Sequence, residues 1–498
     1  MSVAIGNGTG VTFSTRWAML LAMLSMAVGT GNIWRFPRIA ATNDGGTFLI
    51  PWAIFLLTWS VPLLICEFAM GKGTRRGPIG AFSALIGERF AWMGAWVALC
   101  TIFIMFYYGV VTGWCLRYFT AAVAGELPGA EPAALWTSYA ESGWAVATLV
   151  LSLALAVVAV ARGVRGIEAV TKVLMPVLLL LVLVLAVRAV TLPGAERGLA
   201  FLFTPDLSGL GDSRVWLEAL TQNAWDTGAG WGLALTYAVY LRAREDTTIN
   251  AFILGFGNNS VSLLAGIMVL CTVFSIRPDA ASEIVGAGNT GLTFIWVPQL
   301  FAALPGGQLF MALFFLALFF AALTSLISMI ELGVRALIDR GWTRGRALTL
   351  VTLMGLVAGV PSALSMAFFE NQDNVWGVGL MLSGLFFAVG VLRYGVDRFR
   401  ERFVNSAGSD LTIGRWWNAA IVLVAAEAVA LLVWWFSQTL SAEGWRATLD
   451  PFRSWSLGTF LLQWGVLLAL ILAFNRGLAG PSRPAAAVGP AAVPGRPE

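Results

Sequence analysis

Long stretches without a charged residue dominate the pattern of hydrophobic and polar positions along the chain. A helix that crosses a bilayer needs about 20 apolar residues, and most of these runs are too long for a buried strand. One run is too long for one helix, and Pro-Gly-Gly at residues 305–307 divides it into a re-entrant or surface piece and one span. We therefore predict twelve membrane-spanning helices. The charge-free runs are residues 17–34, 48–66, 91–116, 144–161, 173–187, 249–276, 347–369, 374–392 and 454–475; the divided run is 284–330; and two runs contain one acid, 219–241 (Asp226) and 418–441 (Glu427).

The composition agrees with a membrane protein and excludes several classes of function. Of 498 residues, 58% are hydrophobic and only 12% are charged, whereas a soluble domain carries about 25% charge. The chain has no histidine, which excludes histidine metal sites, Ser-His triads and histidine proton relays. The four cysteines lie in apolar stretches and are typical packing residues. The sequence therefore predicts an all-α integral membrane protein that is not an enzyme.

The charged residues predict an orientation in the membrane. Basic residues occupy the connections on one side and acids prevail on the other, so the positive-inside rule places both termini in the cytoplasm and the protein in the inner (plasma) membrane. Residues 1–12 form a short cytoplasmic segment without a signal-peptide pattern, 13–477 the domain of twelve membrane helices, and 478–498 a Pro/Ala-rich cytoplasmic tail that we expect to be disordered. The basic positions are Arg16, residues 72–76, Arg162, Arg165, Lys172, Arg242, Arg244, Arg335, Arg340, Arg344, Arg346, Arg398, Arg400, Arg402 and Arg476; the acidic ones are Glu126, Glu131, Glu141, Glu196, Asp206, Asp212, Glu283, Glu370 and Asp373.

Glycines interrupt two predicted spans near the middle of the bilayer. The first span contains Gly29-Thr30-Gly31, and the sixth contains Gly228, Gly230 and Gly232 beside Asp226. Irregular backbone at membrane depth is tolerated only where it is buried or lines a cavity, although glycine also permits close helix packing. Two breaks five helices apart favour two inverted five-helix repeats, helices 1–5 and 6–10, with the binding site of a secondary transporter between them.

The residues around the first break resemble the first-helix signature of the neurotransmitter:sodium symporters. This stretch is residues 27–37 (AVGTGNIWRFP), followed by residues 43–46 (NDGG). The resemblance continues at residues 67–71 (EFAMG), 106–108 (FYY) and 321–325 (AALTS), and extends from about Phe13 to Arg476. It implies the leucine-transporter fold, with helices 1 and 6 unwound and helices 11 and 12 outside the repeats. The implied function is a sodium-coupled symporter that moves a small amino acid or amino-acid-like amine by alternating access.

The resemblance also implies two sodium ions and no organic cofactor. Backbone oxygens and hydroxyl groups suit a hard cation. The positions that match the family's second sodium site are Ser25, Val28, Ala321, Thr324 and Ser325; those that match the first are Ala27, Asn32 and Asn258, with Asp226 in place of a hydroxyl residue.

Asp226 is the main departure from the family pattern. An ionised carboxylate at mid-membrane is costly unless it is paired, and a sodium ion is the obvious partner. In the family, chloride-dependent members hold an anion beside this sodium; the matching positions here are Gln222 and Ser262, while Trp52 replaces a tyrosine. Because Asp226 can supply the balancing charge, we predict coupling without a chloride requirement. Two alternatives stay open: Asp226 contacts the substrate amine, or it is protonated in part of the cycle and couples protons.

The substrate positions implied by the resemblance suit a carboxylate. Thr30, Gly31 and Tyr108 match residues that hold it in the family, whereas Gly29 stands where monoamine carriers have an aspartate. Two tryptophans near Asp226 suit a cationic amine by cation–π attraction, or serve as gate and packing residues. The full set of substrate positions is Met26, Ala27, Thr30, Gly31, Ile104, Tyr108, Trp225, Asp226, Gly228, Trp231, Ser325 and Met329.

Two gates and one structural acid complete the implied site. The outer gate is Arg35 with Asp373, or with Asn374 if the alignment shifts by one residue. The inner gate includes Asp339 and Tyr240, but residues 1–15 contain no Lys or Arg, so we expect a different or weaker inner seal. The buried acid Glu67 is expected to accept N–H groups of the unwound sixth helix.

The expected partners are a small-molecule substrate and the lipid bilayer, with no nucleic acid; a homodimer is left open. Three alternatives to an amino-acid symporter remain at this stage. They are a transporter of a cationic or quaternary amine or other organic solute, an exchanger, and a non-transporting receptor or channel of the same fold. An intramembrane enzyme has no support, because neither paired catalytic carboxylates nor a nucleophile elbow is visible.

Overall fold

A computed structural model describes residues 12–127, 131–406, 409–441 and 443–479. All regular structure in these ranges is helical. π-helical turns occupy Gly31–Arg35, Leu56–Ser60, Gly291–Trp296 and Arg400–Val404. The α-helices are α1 (Arg16–Ala27), α2 (Phe36–Thr42), α3 (Gly46–Phe55), α4 (Val61–Thr74), α5 (Pro78–Ile86), α6 (Ala91–Ala124), α7 (Pro132–Ala140), α8 (Gly143–Ala161), α9 (Val164–Val190), α10 (Ala195–Phe203), α11 (Ser213–Asp226), α12 (Leu233–Ala238), α13 (Thr247–Ile276), α14 (Ala281–Gly286), α15 (Gly288–Thr290), α16 (Val297–Ala302), α17 (Gly307–Ile338), α18 (Arg344–Leu364), α19 (Met366–Tyr394), α20 (Val396–Phe399), α21 (Trp416–Gln438), α22 (Trp445–Thr448), α23 (Leu457–Ala473) and α24 (Asn475–Ala479).

The described helices are those of a multi-pass membrane protein. Within the described ranges, 9 helices are long and apolar enough to span a bilayer, or 10 if α1 and Gly31–Thr42, which are bent by 53°, form one span. The shorter apolar helix α23 and the pair α11 and α12 fall outside that count. Large apolar side chains such as Val158, Val357 and Val433 are exposed on these helices, which is expected of a surface that faces lipid. The total of twelve spans stays a prediction.

The helix boundaries follow capping residues and prolines more closely than they follow the ends of the apolar runs. The run 347–369 ends too late, because Ser365 accepts a hydrogen bond from the Phe368 N–H (3.3 Å) and starts α19 at Met366. In the run 284–330, residues 303–306 separate the short helices from α17. Helix α17 begins at Gly307 and continues past Glu331 to Ile338, so the acid Glu331 does not end the helix.

Two backbone interruptions face each other near the centre of the protein. Helix α1 ends at Ala27, and helix α11 ends at Asp226, seven residues before α12 begins at Leu233. Gly228, Gly230 and Gly232 have φ values of +70°, +89° and +76°, which other residues adopt only with strain. The glycines therefore allow the chain to leave the helix, and they leave backbone N–H groups that need other partners.

Glu67 of α4 supplies such partners. Its two carboxylate oxygens accept hydrogen bonds from the Gly230 N–H (2.6 Å) and the Leu235 N–H (3.1 Å), and its side chain is fully buried. This geometry supports the structural role expected for Glu67.

The helix ends near Thr74, Ala161 and Ile338 and the start of α18 at Arg344 lie on one side of the protein, which we call the arginine face. The tail expected from residue 478 is helical to Ala479 in α24. Residues 480–498, like residues 1–11, lie outside the described ranges.

Candidate functional site

A polar cavity lies between the two interruptions. Its volume is about 190 Å³, and it extends past Arg35 to Arg38 and Asn289, on the side opposite the arginine face. Most of the predicted substrate positions line it, namely Met26, Ala27, Thr30, Gly31, Tyr108, Trp225, Asp226, Gly228, Trp231, Ser325 and Met329.

Ile104 is the exception among the predicted substrate positions. Its side chain is fully buried within α6 packing and does not line the cavity. Tyr107 and Val111 of the same helix line it instead. Ile104 thus does not line the cavity in this structure, because α6 presents the turn around Tyr107 and Tyr108 to it. A role of Ile104 in substrate binding stays a prediction.

Tyr108 is joined to the first interruption by two hydrogen bonds. The backbone N–H and the hydroxyl of Thr30 both donate to the Tyr108 hydroxyl oxygen at 3.1 Å. The hydroxyl proton of Tyr108 can then be donated to an acceptor in the cavity. A substrate carboxylate at this position would have a phenol donor and the polar backbone around Gly31 beside it.

The space around Gly29 predicts a strong effect of a single methyl group. An ideal Cβ at Gly29 would lie 2.9 Å from both the Tyr108 hydroxyl and the Ser325 Oγ. We expect Gly29→Ala to displace Tyr108 and to lower substrate affinity at least tenfold, measured by uptake at several substrate concentrations. Gly465→Ala is the matched control, because no atom lies within 4 Å of its added Cβ. Unchanged affinity in Gly29→Ala would contradict this placement of Tyr108.

Among the described residues that line the cavity, Asp226 is the acid that is hydrogen-bonded to the buried network of Ser262, Asn32 and Asn258. Its Oδ2 accepts a hydrogen bond from the Ser262 hydroxyl, and Asn32 Nδ2 donates to Ser262 Oγ (2.8 Å) and to Asn258 Oδ1 (2.9 Å). The other carboxylate oxygen, Oδ1, is buried and has no hydrogen-bond partner among the described residues. An added Cβ at Gly31 would lie 3.1 Å from it. A buried anionic oxygen of this kind is costly unless a cation or donor meets it.

The residues matched to the second sodium site lie on two helices that pack against each other, α1 and α17. Ser25 is buried and donates its hydroxyl proton to the Ala22 carbonyl (2.8 Å). Thr324 donates to the Phe320 and Ala321 carbonyls (2.9 and 3.1 Å). Since both hydroxyls donate to their own helices, their oxygen lone pairs are free to accept a cation. Val28 follows α1 directly, and Ser325 reaches the cavity.

Two tryptophans border the cavity near Asp226. The rings of Trp225 and Trp231 meet edge to face with centroids 6.1 Å apart, and Trp231 Nε1 donates to the Ala224 carbonyl (3.1 Å). The Trp225 ring occupies the space next to Gly377, where an added Cβ would overlap it. The absence of a side chain at Gly377 thus lets the Trp225 ring pack against α19, and the sequence alone does not mark this glycine.

The predicted outer gate is not paired in this structure. Arg35 and Asp373 line the same cavity, but Arg35 donates to the Gln222 Oε1 (2.6 Å) and lies 5.6 Å from the Trp225 ring centroid. Gln222, expected at an anion site, therefore binds a guanidinium group here. Asn374, the alternative gate residue, also lines the cavity. With the pair open, the cavity continues to Arg38 and Asn289.

The arginine face is closed by an ion pair that the sequence does not indicate. Arg344 contacts both carboxylate oxygens of Glu331 (2.7 and 2.9 Å), and Tyr240 donates its hydroxyl proton to Glu331 (2.5 Å). The Glu331 side chain is 0% exposed. The only local signal for this acid is that it ends the apolar run at residue 330.

Asp339 and Phe13 complete this closure. Asp339 binds Arg335 (2.7 Å) and accepts the Gly77 N–H (2.5 Å), and burial raises the pKa of its carboxyl, while Arg335 opposes that shift. Phe13 packs edge to face on Tyr237 and Tyr240 at 6.3 Å. Without a basic residue in residues 1–15, the N-terminal contact here is the aromatic one of Phe13, and Asp339 pairs with Arg335 of the preceding helical turn.

Helices that enclose a polar cavity between two interrupted spans define a secondary transporter. Comparisons with known proteins agree and specify the kind. Residues 11–143 and 133–476 match the model of the sodium:neurotransmitter symporter family. The chain belongs to this family, which transports amino acids and neurotransmitters, and the family predicted from residues 27–37 is confirmed.

Three similar proteins illustrate the range of the family. An uncharacterized sodium-dependent transporter of Methanocaldococcus jannaschii is 30% identical over 87% of this chain and 92% of its own length. The sodium-dependent serotonin transporter of Drosophila melanogaster is 28% identical over 82% of this chain and 73% of its length. The crystal structure of MhsT in complex with L-phenylalanine matches with a TM-score of 0.75 and 28% identity, covering 85% of this chain and 98% of MhsT.

Proposed function

We propose that this protein is a sodium-coupled symporter for a small amino acid or an amino-acid-like amine. It works by alternating access in a fold of twelve spans and two inverted repeats, with the first and sixth spans unwound at mid-membrane. The observation that carries the proposal is the unpartnered, buried Oδ1 of Asp226 beside Gly31, next to the amides of Asn32 and Asn258. A sodium ion at this position would neutralise the carboxylate in a low-dielectric interior.

Two sodium ions are proposed, and their ligand sets are those implied by the family resemblance. The first ion takes Ala27, Asn32, Asp226 and Asn258; the second takes Ser25, Val28, Ala321, Thr324 and Ser325. Chloride is not required, because Asp226 supplies the negative charge that an anion would bring. The bond between Arg35 and Gln222 also supports this, since it engages a side chain that an anion site would use.

An amino acid is the substrate class that the cavity favours. Tyr108 and the first interruption offer hydrogen-bond donors to a carboxylate. At Gly29, where monoamine carriers have an aspartate, Tyr108 and Ser325 leave no room for a side chain. The substrate ammonium group would lie near Asp226 and the tryptophan faces. A cationic amine that binds Asp226 directly is the second candidate, because the free Oδ1 belongs to a residue that lines the cavity.

We propose that the arginine face is cytoplasmic, with both termini on that side and the protein in the inner (plasma) membrane. The cavity that extends past Arg35 then opens outward, and the pair of Glu331 and Arg344 closes the inward path. Closing Arg35 on Asp373 while opening that pair would expose the site to the cytoplasm.

Uptake by proteoliposomes tests the proposal. An inward sodium gradient is expected to drive accumulation of an amino acid identified by a thermal-shift screen, and a potassium gradient is not. Replacing chloride with gluconate at constant sodium should leave the initial rate unchanged within about twofold. Binding without accumulation would instead indicate a receptor or channel of this fold, and a loss of uptake in gluconate would overturn chloride independence.

A further inference from the structure

Two adjoining cavities lie on the arginine face, beside the residues that close the inward path and apart from the cavity that contains Asp226. The larger has a volume of about 500 Å³ and is lined by Arg75, Arg162, Arg335 and Arg344. The smaller, of about 350 Å³, shares Arg75 and Arg335 and adds Arg76, Arg340 and Asp339. We call the two together the arginine cavity.

Carboxylates balance only part of the charge around this cavity. Arg344 is paired with Glu331 and Arg335 with Asp339. Arg75 donates to the backbone carbonyls of Val239 (3.0 Å) and Leu241, which carry no net charge. Arg162 and Arg340 make no ion pair with any residue in the described ranges. Arg162 and Arg340 thus bring positive charge that the two carboxylates at the cavity within the described ranges, Glu331 and Asp339, do not balance, since each of these is paired with another arginine.

The chain segments next to the cavity carry no excess of acidic side chains. Thr12 lines the larger cavity, and Leu478 and Ala479 line the smaller one. Residues 1–11, which precede Thr12, contain no acidic residue, and residues 480–498, which follow Ala479, contain two arginines and one acid, Glu498. An external anion would therefore balance the positive charge of the cavity.

Unpaired hydrogen-bond donors point to the same need. Arg335 Nε and Arg340 Nη2 are buried and have no acceptor among the described residues. A buried donor without an acceptor is costly, and guanidinium groups match the geometry of a phosphate particularly well because they offer parallel N–H donors. A phosphate placed between Arg335 and Arg340 would supply acceptors to both.

The position of the cavity indicates where such a phosphate comes from. It lies where α4, α8 and α17 end and α18 begins, which is the level at which membrane-spanning helices meet lipid headgroups. Basic pockets between spans are typical sites for anionic headgroups. We propose that the arginine cavity binds a phosphate group, offered by the headgroup of an anionic phospholipid or by a free phosphate ion.

Thermal unfolding of the delipidated, detergent-purified full chain tests this proposal. Three additions are compared at constant ionic strength: phosphatidylglycerol, phosphatidylcholine and inorganic phosphate. We expect phosphatidylglycerol to raise the midpoint of unfolding by about 3–5 °C over phosphatidylcholine, since a ligand of the folded state stabilises it. A rise with inorganic phosphate as well would identify a free ion as a second source of the same group.

The chain offers matched variants for this experiment. Arg162→Ala with Arg340→Ala removes two cavity arginines, while Arg165→Ala with Arg346→Ala removes two exposed arginines in the first turns of α9 and α18 that do not line the cavity. The first variant is expected to lose the response to phosphatidylglycerol and the second to keep it. Arg162→Lys with Arg340→Lys should retain part of the response. Stabilisation by sodium in each variant shows that it is folded, independently of lipid.

Two results would overturn the proposal. One is the absence of any response of the unaltered chain to both phosphatidylglycerol and phosphate. The other is an equal response of the two alanine variants, because the effect would then come from the general surface charge and not from the cavity. Neither result depends on transport, so a failure here is distinguishable from a failure of the proposed symport.

Discussion

Replacing Asp226 with asparagine is expected to lower the apparent sodium affinity by about ten- to a hundredfold and to remove sodium-driven uptake. The substitution keeps the size of the side chain and an oxygen near Gly31, but it removes the charge of a carboxylate that is 2% exposed. A cation in a low-dielectric site loses a full charge interaction and keeps only a dipole. The expected change corresponds to about 1.4–2.8 kcal/mol, measured by sodium titration of thermal stability and of uptake.

The neighbour Ser262 provides a matched control. Ser262→Ala removes the hydroxyl that donates to Asp226 Oδ2 and accepts from Asn32, but it keeps the carboxylate. We expect a smaller loss of sodium affinity in Ser262→Ala than in Asp226→Asn. A hydrogen bond to a charged group contributes about 1.5–3 kcal/mol in total. Sodium affinity changes only by the difference between the strength of this bond in the sodium-bound state and its strength in the sodium-free state. An equal loss in both variants would assign the effect to disturbed packing.

The chloride dependence of uptake tests whether Asp226 acts through its negative charge. Asp226→Thr restores the hydroxyl that the family pattern has at this position, with Ser262 and Gln222 nearby as potential anion ligands. If Asp226 replaces an anion, uptake by Asp226→Thr should depend on chloride and fall in gluconate, whereas uptake by the unaltered chain should not. Uptake by Asp226→Thr in gluconate at the full rate would contradict charge balance as the reason for Asp226.

The sequence is a reliable guide where a single chain segment decides the structure. The apolar runs locate the membrane helices because the length of a helix and the thickness of the bilayer are matched. The glycines near residues 29 and 230 locate both interruptions, because φ values such as +89° at Gly230 need glycine. Boundaries set by a side-chain cap are less visible: Ser365 begins α19 inside an apolar run, where composition gives no reason to stop.

Contacts between distant segments are the part that the sequence does not determine. Tyr108 and Asp226 could be selected because a family pattern marks them, but Gly377 takes its importance from Trp225, which lies 152 positions earlier. The ion pair of Glu331 and Arg344 was missed for the same reason. Glu331 alone marks only the end of an apolar run, and Arg344 is one of several arginines before the next run. Only the turn between α17 and α18 makes them partners. Ile104 is the opposite case: the family pattern marks it as a substrate position, but its side chain is buried between packed helices and does not line the cavity.

Removing one partner of that ion pair is expected to damage the protein more than removing both. Glu331→Gln leaves Arg344 beside a neutral group, and Arg344→Met leaves a fully buried carboxylate with only the Tyr240 hydroxyl as a donor. Breaking a buried pair costs about 3–5 kcal/mol, whereas replacing both members by neutral groups of similar size costs much less. The midpoint of thermal unfolding should therefore fall more in Arg344→Met than in the double variant with Glu331→Gln.

The same variants should shift the balance between the two faces of the transporter. Because the pair closes the arginine face in the state whose cavity extends past Arg35, breaking it disfavours that state and lowers apparent sodium affinity by about tenfold for each 1.4 kcal/mol of shift. Arg346→Met, an exposed arginine of α18, should change neither property. Two results together would contradict this role of the pair: the double variant binds sodium as weakly as Glu331→Gln, and it is no more stable than Arg344→Met. The two side chains would then act individually and not as a salt bridge that closes the arginine face.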